Sequence, residues 1–244
     1  MLWRRNRRSR PDLDRRHVAD AWQIVSLLLD YPDETLVERL PMLTGVIRDL
    51  PEAVAEPLSR LVDHLGAQPL GRLQRDYVET FDVTRKCCLH LSFFTHGDTR
   101  KRGVALVQFK QAYRRHGAEI DELELPDHLC VLLEFGALHD VDTAWKLLND
   151  HRVGIELLHR ALTRKDSPWT DGIRALRATL PTLAGDDEQA LAALIAQGPP
   201  TEEVGLDSSP YSIDPRLNPK PESSATHLGA TIPVGLAAAQ GVNQ

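Results

Sequence analysis

Apolar residues recur along the chain at helical spacing. Val18, Ala21, Trp22, Val25, Leu28 and Leu29 share one face and predict a first helix that the Tyr31 and Pro32 pair stops. A second begins at "DETLVERL" and is expected to bend or break at Pro41, and a third spans about 51–65. A fourth, opening near Pro69, puts Leu70, Leu73, Tyr77 and Phe81 on one stripe, and a fifth aligns Leu106, Phe109 and Tyr113.

The segment "LPDHL" predicts a sixth helix, with Pro126 at a first helical position and Asp127 facing the positive end of the macrodipole. Leu129, Leu132, Leu133, Gly136 and Ala137 form its core stripe. Further helices are expected over about 142–150 and 154–164, after a Ser167 cap at "SPWTD", and at "DDEQALAALIAQ". No alternating segment competes as a strand, so the fold class is all-α, a single-domain helical bundle.

Composition changes the picture at the two ends. The first 16 residues carry seven arginines against two aspartates, a local charge of +5, which leaves −11 for residues 17–244. They read as a basic flexible arm with no export signal, because Asp20 and Asp30 interrupt the apolar stretch beyond it and no small-residue cleavage site appears. From Gly198 onward lie seven of the sixteen prolines and a single aromatic, Tyr211, so 198–244 is expected to be a disordered tail and 17–197 the folded domain. No apolar run reaches the ~20 residues of a transmembrane helix.

The densest chemistry lies in "YVETFDVTRKCCLHLSFFTHGDTRKRGVAL", residues 77–106. Cys87, Cys88, His90 and His96 are soft-metal ligand types, but adjacent cysteines lack the usual C-x-x-C spacing and no second pair exists. A Cys–His nucleophile is disfavoured because both thiols sit beside Leu89 and Leu91 in an expected buried turn. Phosphate-binding loops, dinucleotide fingerprints and H-E-x-x-H are missing from the sequence. Neither a catalytic nor a metal site, nor a resident cofactor, is expected. "HGDTRKRG" reads either as a charged turn and cap or as the polar rim of an apolar groove between the fourth, fifth and sixth helices, of the kind that accepts an amphipathic peptide.

The same stretch, together with "ELPDHLCVLLEF", resembles the two signature blocks of the NarJ family of nitrate reductase assembly chaperones, historically called delta subunits. In the first block Tyr77, Phe81, Asp82, Arg85, Leu89 and Leu91 stand where the pattern has them. So do His96, Gly97, Asp98, Arg100, Arg102, Gly103 and Ala105. Leu125, Pro126, Asp127, His128, Leu129, Leu133 and Glu134 match the second. "LLDYPD" is similar to the end of the family's opening helix, and the resemblance spans about 18–197.

The resemblance implies a cytoplasmic, monomeric, non-enzymatic chaperone of the molybdoenzyme-specific helical type. Its partner would be the apo catalytic (alpha) subunit of nitrate reductase, bound through its N-terminal peptide and held until molybdenum cofactor and iron-sulfur insertion is complete, with the cofactor insertion machinery as a second partner. Neither nucleic acid nor direct membrane insertion is implied. The client-binding residues it implies are Tyr77, Phe81 and Asp82, then His96, Gly97, Asp98, Arg100 and Arg102, and finally Asp127, His128 and Glu134. Two alternatives stay open: a chaperone of another molybdoenzyme, such as a sulfoxide or amine-oxide reductase, and a permanent accessory subunit of the reductase.

Overall fold

The computed structural model describes residues 13–120, 124–183 and 185–197. Among these the chain is helical: α1 (Arg15–Leu28), α2 (Glu34–Ile47), α3 (Glu52–Ala67), α4 (Leu70–Tyr77), α5 (Leu91–His96), α6 (Arg100–Arg115), α7 (Leu129–Leu138), α8 (Val141–Asp150), α9 (Arg152–Arg164), α10 (Thr170–Ala178) and α11 (Asp186–Gln197). A π-helical turn, Val78–Asp82, extends α4, and a short 3-10 turn, Arg85–Cys87, follows it. The described residues form no strand, and their one isolated β-bridge pairs His90 with His128. The expected tail lies outside the described residues, as does the arm up to residue 12, while Arg15 and Arg16 already belong to α1.

Each amphipathic stripe finds a partner. α1 packs against α7, α10, α2 and α3, and α3 in turn packs on α10. Trp22 on α1 is fully buried, and its indole N–H donates to Thr179 Oγ1 at 2.8 Å, so the one polar atom it brings inside is satisfied. Gly136 on α7 is what allows the approach. A Cβ there would lie 2.6 Å from both the Trp22 ring and Ala144 Cβ, far inside contact distance. Asp33 and Asp140 cap α2 and α8 by accepting from Leu36 N (2.7 Å) and Thr143 N (2.6 Å).

Three expectations are corrected. α2 runs unbroken through Pro41, because that turn is exposed and water can satisfy the carbonyl that proline leaves free. The turn expected at the cysteines is the 3-10 turn Arg85–Cys87, with Cys87 buried, and beyond it Leu91 opens the helix α5, six residues long and too short to show a period. Ser167 does not cap with its side chain: α10 starts at Thr170, whose N–H (3.0 Å) and hydroxyl (2.6 Å) both donate to the Ser167 carbonyl. The sixth predicted helix, α7, starts at Leu129 rather than Pro126, because Pro126–His128 is drawn into contacts with 89–92.

Candidate functional site

Between α4 and α6 the chain passes through three short pieces, the π-helical turn, the 3-10 turn and α5. Local propensity cannot hold such a stretch, and a partner from the second motif does. Leu91 N–H donates to the Asp127 carbonyl (3.0 Å) and Leu129 N–H to the Leu89 carbonyl (2.8 Å), two strand-like bonds either side of the His90–His128 bridge. The imidazoles of those two residues meet edge to face at 5.2 Å.

The Asp127 side chain completes the clasp. It is wholly buried and accepts from Ser92 N–H (3.2 Å), Ser92 Oγ–H (2.5 Å) and His90 Nδ1 (3.3 Å), while Arg102 Nη2 stands 3.5 Å away. Burial alone would raise its pKa. The His90 and Ser92 hydrogen bonds and the His90 and Arg102 charges outweigh that and hold it at about 2. Burial, together with the neighbouring His90, lowers His128 to about 4. One carboxylate thus ties α5, the first turn of α6 and the entry to α7 together.

Outside the clasp is a groove of about 320 Å³, lined by Phe81, Asp82, Arg85, Cys88, His90, Phe93, Asp98 and Arg102. Phe81 and Phe93 supply its apolar surface. Asp98 stands on the rim between two cations, 2.5 Å from Arg85 and 3.3 Å from Arg102, and the Arg85 guanidinium lies 5.6 Å from the centre of the Phe93 ring. Arg102 Nε and Nη2 are buried, Nη2 turned toward Asp127, while Nη1 donates to Asp98 Oδ1. Burial pushes the Cys88 thiol up to about 11 and also raises Cys87, which leaves neither a ready nucleophile. No group of three or more His, Cys, Asp or Glu among the described residues is placed to hold a metal ion. The surroundings suit reversible binding of a chain carrying both apolar and charged groups.

The sequence-predicted residues separate into three sets. Phe81, Asp82, Asp98 and Arg102 line the groove. Tyr77, Gly97 and Asp127 are buried and act from beneath it. Tyr77 donates its hydroxyl to the Leu29 carbonyl (3.1 Å) and packs on Phe81 and Trp169. Gly97 ends α5 at φ 57° and ψ −154°, a conformation close to glycine-only. His96, Arg100, His128 and Glu134 are not among the lining residues: His96 and His128 are half-buried, Arg100 and Glu134 exposed. α7 does not wall the groove as expected; its entry reaches the site through Asp127.

Sequence reasoning did not place Ser92, His90, Arg85, Cys88 and Phe93 in the binding set. For Ser92 the available signal was a lone hydroxyl between apolar Leu91 and Phe93.

The family model described as "Nitrate reductase delta subunit" matches residues 47–175. The chain is 37% identical over 163 residues to the nitrate reductase-like protein NarX of Mycobacterium tuberculosis, a match covering 65% of this chain but 24% of that much longer protein. It is 29% identical to the probable nitrate reductase molybdenum cofactor assembly chaperone NarJ of Bacillus subtilis, covering 64% of this chain and 85% of that one. To the nitrate reductase molybdenum cofactor assembly chaperone NarJ of Escherichia coli K12 it is 33% identical, covering 60% and 63% respectively.

Proposed function

The chain belongs to the nitrate reductase delta subunit family, and on that premise we propose that it is an assembly chaperone for a respiratory nitrate reductase. In this reading it binds the apo catalytic subunit through that subunit's N-terminal peptide in the cytoplasm. It keeps the subunit competent for molybdenum cofactor and iron-sulfur insertion before membrane assembly. Its similarity to proteins described as nitrate reductase molybdenum cofactor assembly chaperones supports the role. Among the described residues no helix is long and apolar enough to cross a membrane.

The observation that carries the peptide site is the groove built on the Asp127 clasp. A volume of about 320 Å³ admits one or two side chains, not a folded partner. An apolar residue of the peptide sits against Phe81 and Phe93. Its basic neighbours meet Asp82 and Asp98. Apolar contact supplies most of the affinity, and the exposed charges set register and encounter rate. No step of this role calls for catalysis by the chain itself.

The test is capture with tagged full-length protein from cells unable to make the molybdenum cofactor, with the retained client identified by mass. The catalytic subunit of nitrate reductase is the expected prey. A different molybdoenzyme would reassign the client, and stoichiometric retention on the finished membrane enzyme would make the chain an accessory subunit.

A further inference from the structure

Helix α6 carries charge that neither the groove nor the fold uses. Its sixteen residues include six cations, Arg100, Lys101, Arg102, Lys110, Arg114 and Arg115, and no acid. The whole chain is at −6, which leaves −12 outside this helix. Of the six, Arg102 serves the groove and the clasp. Lys101, Lys110, Arg114 and Arg115 are exposed, and among the described residues none of them lies within ion-pair distance of a carboxylate.

Stability does not explain them. Arg100 and Lys101 sit in the first turn, which contains no acidic residue and where the positive end of the macrodipole disfavours cations. The buried face of α6 is complete with Ala105, Phe109 and Tyr113, Phe109 stacking on His151 and Tyr113 packing tilted against Phe135. On the opposite face Val104 is 62% and Val107 53% exposed, centred on a row that runs from Lys101 to Arg114. An aliphatic centre flanked by cations at both ends is the anatomy of a protein-docking strip. Nucleic acid or lipid headgroups would favour cations along the whole length.

We propose that the outer face of α6 is a second docking surface, distinct from the peptide groove, for an acidic amphipathic segment of another protein. The partner's aliphatic side chains cover Val104 and Val107, and its carboxylates face Lys101, Lys110 and Arg114. The sixteen residues of α6 extend about 24 Å, room for four helical turns of such a segment.

Full-length protein is titrated with a synthetic acidic helical peptide of roughly 18 residues, leucines at i, i+3 and i+4 spacing flanked by glutamates, and with a scrambled peptide of the same composition. The ordered peptide is expected to bind about tenfold tighter than the scrambled one. The exposed-site variants K101E/K110E/R114E and V104S/V107S should each reduce that affinity about tenfold, and added salt should weaken it. K101E alone relieves the macrodipole conflict, so it should weaken binding while leaving the melting temperature level or slightly raised. K101Q/K110Q/R114Q serves should the reversed-charge triple fail to fold.

Equal affinity for the scrambled peptide, or none for either, overturns the proposal. So does tighter binding to phosphatidylglycerol vesicles or to a DNA duplex, which would make the strip a general anion surface. Self-association in sedimentation that the triple variant abolishes would give the face to a second copy and likewise overturn it.

Discussion

The region where α1 meets α7 and the region around Asp127 hold the molecule together by opposite means. In the first, Trp22 lies over Gly136 with Ala144 beside it, and the one polar atom brought in, the indole nitrogen, finds Thr179. In the second a charged carboxylate is wholly buried, and its cost is offset only because three hydrogen bonds and Arg102 converge on it. The first is a shape match between long helices. The second is a polar knot that fastens short pieces with little structure of their own, and the groove forms on the knot. A groove made of short segments can thus be fixed in place by one buried charge borrowed from 35 residues away.

The contrast is broken most severely from the apolar side. Trp22→Ala empties one of the two largest fully buried side chains among the described residues and should cost about 3 to 5 kcal/mol, read from denaturant unfolding. Gly136→Val, which adds atoms where 2.6 Å already separates a Cβ from its neighbours, should destabilise by about 2 kcal/mol or more. If neither variant loses stability, the close α1–α7 contact is not what holds the core.

Asp127→Asn should cost less, about 2 to 3 kcal/mol, because it keeps the shape and removes the charge that Arg102 faces. It should act locally as well, loosening amide protection in α5 and at the start of α7. A uniform loss of protection across all helices would show that the knot is simply part of the core.

pH separates the regions next. His128 stays neutral in the fold down to about 4, against an unfolded value near 6.5, so the unfolded chain binds the extra proton between those limits. Stability should be constant above pH 6.5 and fall by up to about 3 kcal/mol as pH drops to 4. His151, also held at about 4 by burial, adds a loss in the same window. Asp127, held near 2, adds a further loss between about pH 4 and 2. His128→Phe should flatten the upper part of the profile, and an unchanged profile would remove His128 from this role.

These two regions were unequally legible in the sequence. The periodic stripes of Trp22, Leu132 and Leu133 are local signals, and the helices carrying them stand where the pattern puts them. The polar region is made by pairings at long sequence separation, which periodicity does not register. Pro126–Asp127 has the composition of a helix start, yet tertiary bonds to Ser92 and Leu91 outweigh the macrodipole and delay α7 to Leu129. Arg102 was legible as a rim charge, but its second partner, the buried Asp127, was not. Arg85 takes the outer position on Asp98. Gly97 was legible as a motif position, and the structure gives the reason in its φ of 57°.

The smallest expected effect on stability belongs to the rim. Arg85 and Asp98 are exposed, so the double variant Arg85→Gln/Asp98→Asn should change stability by under about 1 kcal/mol. That makes it the cleanest probe of whether the groove binds a client. The decisive measurement is calorimetric titration of a synthetic N-terminal peptide of the nitrate reductase catalytic subunit against wild type and this double variant, with a thermal melt of each. The account predicts an unchanged melt and an affinity about five- to tenfold weaker, the difference shrinking as salt is added. A variant that binds the peptide as wild type does would contradict it, and the groove at Asp98 would then be a structural feature of the α5–α6 junction and not the client site.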